Sequence, residues 1–264
     1  MALRERGKPV VTRPRRFHGQ PLLSVPVRPL AVALLLACVA VVAVLGALTA
    51  HQSQAGPVDA RIDAAITAAL GSHVRAIQLT VDLGEPLTVT AICAVLVLAC
   101  LAARRPRGAL LVAVAVPLAA VLTEFALKPL FGRTLGGGLS FPSGHETGVS
   151  AMAAAFIVLL AGPFRALLPA ALRWLLAALT VCVMAAEAPA LVAIHYHYFS
   201  DTIGGAATGA GTVILTALML DGLSARLARS RARAGSGAGD PETAGARGVA
   251  ADGMTTGARR LPPA

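Results

Sequence analysis

The sequence PLAVALLLACVAVVAVLGALTA, residues 29–50, decides the class of this protein. It contains no charged side chain, and it is as long as the roughly 20 apolar residues that a helix needs to cross a bilayer. Similar apolar segments follow at residues 86–103, 109–131, 143–162, 167–194 and 201–220. We therefore predict an all-α fold, a bundle of six transmembrane helices.

The composition of the 264-residue chain agrees with a membrane protein. Hydrophobic residues make up 56% of it and charged residues 14%, whereas a soluble domain has about 25% charged residues. This difference excludes an ordinary cytosolic globular protein. The net charge of +10 alone would suggest nucleic acid. In so apolar a chain, anionic membrane surfaces are the better partner, and we expect no nucleic acid.

The basic residues are concentrated in the two tails and in two loops. These regions contain Arg4, Arg6, Arg13, Arg15, Arg16, Arg28, Arg104, Arg105, Arg107, Arg165, Arg173, Arg226, Arg229, Arg231, Arg233, Arg247, Arg259 and Arg260. Because positively charged segments stay in the cytoplasm, both termini are predicted to be cytoplasmic, and residues 51–85, 132–142 and 195–200 to lie outside. We expect a multi-pass protein of the cell membrane whose basic tails contact anionic lipids.

This topology divides the chain into three regions. Residues 1–28 form a basic cytoplasmic tail, 29–223 a membrane helical domain, and 224–264 a disordered basic cytoplasmic tail. The first apolar segment is either an uncleaved anchor or a cleaved signal peptide. Residues 62–79 are either an amphipathic surface helix or a solvated linker. Pro189 is expected to bend or end the fifth span.

Ionisable residues at the membrane are costly to bury and are therefore candidates for function. Lys128 and Arg133, at the outer end of the third span, place two cations five residues apart. Such a pair suits a phosphate, although both side chains could instead reach lipid headgroups. Glu124 lies four residues before Lys128, where a helical ion pair would satisfy both.

The segment Pro142-Ser143-Gly144-His145 opens the fourth span. The free N–H groups of a helix N-terminus bind anions, and Ser143 and Gly144 would supply them here. His145 could donate a proton to a leaving oxygen. The alternative is an ordinary serine N-cap followed by an interfacial histidine.

His197 and Asp201 open the sixth span. On a helix, residues four apart share a face. A carboxylate beside an imidazole fixes its tautomer and raises its basicity, which favours a nucleophilic histidine. Ser200 could instead cap the helix, with Asp201 in the first turn. The predicted topology brings all three clusters to the outer face.

In this order, the clusters resemble the signature of the type 2 phosphatidic acid phosphatase (PAP2) superfamily, which runs Lys-x6-Arg-Pro, Pro-Ser-Gly-His and Ser-Arg-x5-His-x3-Asp. Residues 142–145 match the middle motif in full, His197 and Asp201 match the end of the third, and Lys128 heads the first. The resemblance implies a phosphatase core over about residues 86–223, with its active site at the extracytoplasmic ends of helices three, four and six.

The resemblance also implies a mechanism. His197 would attack phosphorus to form a phosphohistidine, Asp201 would orient His197, and His145 would protonate the leaving group. The phosphate oxygens would be held by Lys128, Arg133, Ser143 and Gly144. The substrate would be a lipid phosphomonoester or pyrophosphate, of phosphatidate or polyprenyl type. No metal or other cofactor is expected, since no cluster has metal-ligand spacing.

Two departures from the signature weaken the phosphate site. The Arg-Pro of the first motif would fall at Leu135-Gly136, and the Ser-Arg of the third at Ala190-Leu191. One cation is thus displaced to Arg133 and another is missing, although His195 could compensate if protonated. This gap supports an alternative, a catalytically weak or inactive relative that binds lipid phosphate. A small transporter is a further alternative, because intramembrane charges also occur in transporters.

Overall fold

A computed structural model of the protein describes residues 21–237. Within these residues the chain forms nine α-helices and one small hairpin. The helices are α1 (Arg28–Thr49), α2 (Pro57–Leu70), α3 (Val74–Gly84), α4 (Pro86–Ala102), α5 (Pro106–Leu122), α6 (Lys128–Phe131), α7 (Gly144–Ala161), α8 (Ala170–Ala193) and α9 (Phe199–Gly237). The strands are β1 (Thr134–Leu135) and β2 (Gly138–Leu139), which pair antiparallel. A π-helical turn, Thr123–Leu127, joins α5 to α6.

The predicted transmembrane bundle is confirmed. In the described part of the chain, five helical segments are long and apolar enough to cross a membrane, namely Val25–Thr49, Pro106–Phe131, Gly144–Ala161, Ala170–Ala193 and Phe199–Ser230. A sixth crossing results if α3 and α4, which meet at an angle of 57°, count as one span. The protein is therefore a multi-pass helical membrane protein.

The centre of the bundle is packed with small side chains. Ala115 and Ala119 of α5 are fully buried, as are Ala151 and Ala155 of α7. Because association between membrane helices depends on close backbone approach, alanine and glycine are favoured at such contacts. By contrast, most side chains of α1 are exposed, as expected for a helix that faces lipid.

The helices alternate in direction, so six helix termini meet at one end of the bundle, which we call the site end. Here α1, α6 and α8 end, and α4, α7 and α9 begin. Backbone hydrogen bonds join these termini: the His51 N–H donates to the Phe131 carbonyl over 2.8 Å, and the Ser143 N–H donates to the Asp201 carbonyl over 2.9 Å. The site end is therefore one continuous structure.

The opposite end of the bundle is organised around Asp221. Its carboxylate accepts hydrogen bonds of 2.9 Å from the backbone N–H groups of Leu22 and Leu23. Arg28 and Arg107 lie 3.6 and 4.0 Å from the same carboxylate. This end thus gathers basic residues from the first turns of α1 and α5.

The structure bears on three local predictions. The segment expected as one amphipathic helix or a linker, residues 62–79, forms two helices, α2 and α3, because Gly71 and the two residues after it interrupt the helix. Of the two outcomes expected at Pro189, a bend or an end of the fifth span, the end does not occur there, since α8 continues to Ala193. A compact unit that ends at Asp221 is followed by a second one.

In this second unit, which begins at Gly222, α9 continues to Gly237. The helix therefore extends into the segment from residue 224 that was expected to be disordered. The remainder of both predicted tails, residues 1–20 and 238–264, lies outside the described residues, and with it most of the arginines that were expected to contact anionic lipid.

Candidate active site

A cavity of about 730 Å³ opens at the site end and continues between α4 and α5. Its polar lining includes Glu124, Lys128, His145 and His197, together with the backbone of Gly144. Most of the remaining lining is apolar and includes Val89, Cys93, Ala94, Val97, Val112, Ala113, Val116, Pro117, Ala120 and Val121. The cavity therefore has a charged head and an apolar body, as a site for an amphiphile requires.

His197 lies in the turn between α8 and α9, one residue before the cap of α9. Its side chain is 10% exposed, and its Nδ1 lies 3.7 Å from Asp201 Oδ2. This separation is beyond hydrogen-bond distance but close enough for a carboxylate to stabilise a charged imidazole. His197 and Asp201 are paired as predicted. The turn before α9 brings them together, because His197 lies outside the helix and the two residues do not share a helical face.

A capping interaction holds Asp201 in place. Asp201 is the third residue of α9, and its Oδ2 accepts a hydrogen bond of 3.2 Å from the Tyr198 N–H. In return, the Asp201 N–H donates to the Tyr198 carbonyl over 3.0 Å. A side chain at this position that reaches back to the cap residue forms half of a capping box. The carboxylate that faces His197 is thus tied to the start of α9.

Arg133, which was expected to hold the phosphate, lies behind the cavity and does not line it. It is fully buried and donates to Asp201 Oδ1 and Asp59 Oδ2, each over 2.6 Å, and to Ser200 Oγ over 2.7 Å. Its guanidinium also lies 4.2 Å from the centre of the Tyr198 ring. These partners engage both terminal nitrogens, while Nε has no hydrogen-bond partner among the described residues. In this structure Arg133 therefore holds the carboxylates behind His197.

Two acidic residues of α2 complete this network, which we call the Arg133 network, and sequence reasoning missed them. Asp59 accepts from the Ser200 N–H over 3.0 Å and from Ser200 Oγ over 2.7 Å. Asp63 accepts from the Phe199 N–H over 3.1 Å. Burial raises the pKa of Asp63, while this hydrogen bond lowers it. Their spacing of four residues on one helix was the available signal.

Burial also raises the pKa of the Tyr198 hydroxyl, despite the opposing effect of the nearby Arg133. Tyr198 therefore stays neutral and presents its ring to the guanidinium. Such stacking of arginine on an aromatic face adds to the hydrogen bonds that fix the guanidinium plane.

Ser143 is the N-cap of α7, as one of its two predicted roles required. Its Oγ accepts from the Glu146 N–H over 3.3 Å. Its own N–H donates to the Asp201 carbonyl and is therefore not free for an anion. The free N–H groups begin one residue later, at Gly144, because the first turn of a helix has no internal acceptor for them. Ser143 thus connects α7 to α9, and Gly144 faces the cavity.

Lys128 and Glu124 form the ion pair that their spacing predicted. Lys128 Nζ lies 2.7 Å from Glu124 Oε1 and 2.9 Å from Oε2. The lysine side chain is 14% exposed and the glutamate side chain 45% exposed. Among the described residues that line the cavity, Lys128 is the only lysine or arginine.

His145 lines the same cavity as His197. Its Nε2 lies 3.4 Å from Glu85 Oε1, a carboxylate at the start of α4 that is half exposed. This contact orients the imidazole of His145 at the cavity wall. An imidazole that carries a proton into the cavity can act as a general acid.

The missing cation of the third motif is not replaced by a neighbour. Leu191, which stands at that position, is fully buried in an apolar cluster with Ile77 and Val81 of α3. His195 is exposed, has a left-handed backbone with φ of 59°, and does not line the cavity. The described part of the site therefore has less positive charge than the signature implies.

Two buried carboxyl groups lie outside the cavity. Glu146 points into the bundle, where it accepts from Ser150 Oγ over 2.7 Å, and so does not serve as a solvated charge of the first helical turn. Glu187 of α8 is also buried, and its carboxyl group packs against Gly84. Neither carboxyl lines the cavity.

Comparison with known proteins agrees with the motifs. Residues 120–224 match the sequence model of the PAP2 superfamily, which confirms the resemblance for this region of the chain. The match includes Lys128, His145 and His197 but not α2, whose Asp59 and Asp63 complete the Arg133 network.

The fold is also similar to that of a solved structure. This is the crystal structure of the first transmembrane PAP2 type phosphatidylglycerolphosphate phosphatase from Bacillus subtilis, with a TM-score of 0.54 and 16% sequence identity. The alignment covers 70% of this chain and 93% of that one. At this identity the likeness demonstrates a shared fold. No curated protein matches the chain.

Proposed function

We propose that this protein is an integral-membrane phosphatase that removes a phosphate from a lipid, either a phosphomonoester or a pyrophosphate of phosphatidate or polyprenyl type. The cavity carries this proposal: it joins a cationic head with two histidines to an apolar body between α4 and α5. A lipid tail fits the apolar part and a phosphate fits the head. The match to the PAP2 superfamily supports the same reaction.

In the proposed reaction, His197 is the nucleophile. Its Nδ1 faces Asp201, so Nε2 is the nitrogen that attacks phosphorus. The new P–N bond forms as the P–O bond to the lipid breaks, and Asp201 stabilises the positive charge on the imidazole. His145 donates its proton to the leaving oxygen and then accepts a proton from the water that hydrolyses the phosphohistidine.

The phosphate is held by Lys128 and by the first N–H groups of α7, starting at Gly144. These donors face the cavity before the substrate arrives, which is the arrangement that stabilises charge most effectively in a transition state. The Arg133 network does not contact the phosphate. It acts indirectly, by holding Asp201 in position behind His197. The proposed mechanism uses no metal ion.

We place the site end outside the cell and both termini in the cytoplasm. The distribution of basic residues supports this orientation, because the ends of the helices opposite the site carry Arg104, Arg105, Arg107, Arg165 and Arg173. Basic residues next to membrane spans stay on the cytoplasmic side. The same residues, together with the tails, would contact anionic lipids of the inner leaflet.

The decisive experiment measures phosphate release by the purified protein from a panel of lipid phosphates and pyrophosphates, with and without EDTA. We expect activity that EDTA does not affect and that His197→Ala abolishes. His195→Ala is the matched control, since His195 lies two residues away, is exposed and does not line the cavity. Full turnover by His197→Ala would exclude His197 as the nucleophile. Loss of activity in EDTA would exclude a metal-free reaction.

A second function, binding of a lipid phosphate without cleavage, is favoured by one observation. The site has lost cations, because Arg133 is buried and Leu191 stands where the signature has arginine. This function would be supported if the wild-type protein bound lipid phosphates but released phosphate from none of them. The same result would contradict the proposed phosphatase activity.

A further inference from the structure

The carboxylate of Glu124 lies against the N-terminus of α7. A β-carbon at Gly144 would be 2.5 Å from Glu124 Oε1 and 3.7 Å from Lys128 Nζ. The same carboxylate contacts Lys128 Nζ through both oxygens, at 2.7 and 2.9 Å. Glu124 thus binds the ammonium group that the proposed function assigns to the phosphate, and it does so beside the first residue of α7.

The local backbone favours this position. Glu124 belongs to the π-helical turn Thr123–Leu127, and π turns insert one residue into a helix, often at functional sites. Gly144 has no side chain to fill the space between α7 and the carboxylate. The side chain of His197, nine-tenths buried and with Nδ1 lacking a hydrogen-bond partner in the described chain, lines the same cavity.

We propose that Glu124 is a specificity-determining residue that occupies the phosphate subsite when the site is empty and that substrate phosphate displaces. This inference rests on the proposed function, because it assigns an internal occupant to the proposed phosphate subsite. Glu124 keeps Lys128 paired and in position until a competing anion arrives.

The exposure of the two partners makes the exchange feasible. The Glu124 side chain is 45% exposed, so its carboxylate can rotate into solvent without a large desolvation cost. Lys128 is 14% exposed and stays at the cavity wall. After the exchange, a phosphate oxygen replaces a carboxylate oxygen on the same ammonium group, beside the start of α7.

This competition selects between classes of phosphate. A terminal phosphate carries up to two negative charges, whereas the phosphate of a diester carries one. Replacing one carboxylate charge with a doubly charged group strengthens the interaction with Lys128, while replacing it with a singly charged group gives no such gain. Glu124 therefore favours lipids with a terminal phosphate over the abundant phosphodiester lipids that surround the site.

The test is Glu124→Gln, which keeps the shape of the side chain and removes its charge. We expect the purified full-length variant to bind inorganic phosphate about tenfold more tightly than the wild type, which corresponds to about 1.4 kcal/mol. In turnover, KM for a lipid phosphate should fall by a similar factor while kcat changes little. Phosphatidylglycerol, a diester, should inhibit the variant but not the wild type.

Asp82→Asn is the matched control, because Asp82 is an exposed carboxylate of α3 that bonds to Gln78 and does not line the cavity. The Asp82→Asn variant loses one negative charge near the site end but leaves the pair of Glu124 with Lys128 intact. Glu124→Ala is a second variant that also removes the charge. Unchanged or weaker phosphate binding by both Glu124 variants would overturn the inference, and so would equal gains in Asp82→Asn.

The two proposals fail separately. Tighter phosphate binding by Glu124→Gln in a protein that hydrolyses no lipid phosphate supports the role of Glu124 and contradicts the phosphatase. Normal hydrolysis by the wild type, with no change in phosphate affinity or KM in Glu124→Gln, contradicts the role of Glu124 alone.

Discussion

Lys128 and Arg133 lie five residues apart at the same end of the bundle, and the fold uses them in opposite ways. Arg133 is fully buried and bonded to two carboxylates and a hydroxyl. Lys128 lines an open cavity, and its partner is a half-exposed glutamate. The first cation belongs to a closed network, and the second to a pair that can open.

The difference follows from the chemistry of the two side chains. The planar guanidinium of arginine presents several donors in a rigid fork, which suits a fixed set of acceptors, whereas lysine is a flexible point charge. A closed network positions a catalytic group, and a pair that can open receives a ligand. The comparison can be tested by changing each residue in turn and measuring stability and activity separately.

The largest effect is expected from Arg133→Met. This change leaves the buried carboxylates of Asp59 and Asp201 without their cation, and removing one partner of a buried ion pair costs about 3–5 kcal/mol. Both the unfolding temperature in detergent and phosphate release should drop. A variant with normal stability and reduced phosphate affinity would show that Arg133 is a ligand after all.

Lys128→Met should separate activity from stability. The lysine is a phosphate donor in the proposed site, and loss of one such donor typically lowers kcat by about 10²–10³-fold. Its partner Glu124 is 45% exposed and can be solvated, so the unfolding temperature should change little. If Lys128→Met lowered the unfolding temperature as much as Arg133→Met, the proposed difference between the two cations would be wrong.

A smaller effect is expected from Asp59→Asn, which sharpens the role assigned to the Arg133 network. With Asp59 neutral, Arg133 offsets more of the charge on Asp201, and Asp201 then supports His197 less. We expect kcat to fall about tenfold, or about 1.4 kcal/mol in the barrier, with little change in KM. Steady-state kinetics on one lipid phosphate gives both values.

Asp63→Asn is the control for Asp59→Asn, because Asp63 also caps α9 but does not contact Arg133. Burial raises the pKa of Asp63. A raised pKa means that the folded state loses stability as pH rises through the interval between the unfolded and folded values. Asparagine keeps the acceptor for the Phe199 N–H and removes this penalty, so the control should retain its stability and kcat. An equal fall in kcat in both variants would show that Asp59 acts only by capping α9 and not through the charge of Arg133.

Much of the fold was predictable from local composition. Every predicted apolar segment coincides with a helix, because a helix in lipid must satisfy its own backbone hydrogen bonds whatever its neighbours are. The structure of the first outer loop was harder to predict from the sequence, because the stability of α2 and α3 depends on the helices they pack against. Burial of Ile77 and Val81 against Leu191 is a contact between segments more than a hundred residues apart.

The candidate site was predictable to a similar degree. The alternating direction of the helices brings Lys128, Gly144, His145 and His197 to one cavity. The role of Arg133 was not predictable, because its partner Asp59 comes from a loop whose structure the motifs do not describe. Likewise, spacing indicated the pair of Glu124 with Lys128 but not its position against Gly144.

The sequence by itself determined that the chain crosses the membrane several times and which residues gather at one end, because both follow from apolar length and chain direction. Only the tertiary structure decided which of two nearby cations is buried and which remains in the cavity. That outcome depends on the acceptors that other helices bring into contact, and a charge is buried in a protein only where such acceptors compensate its lost hydration.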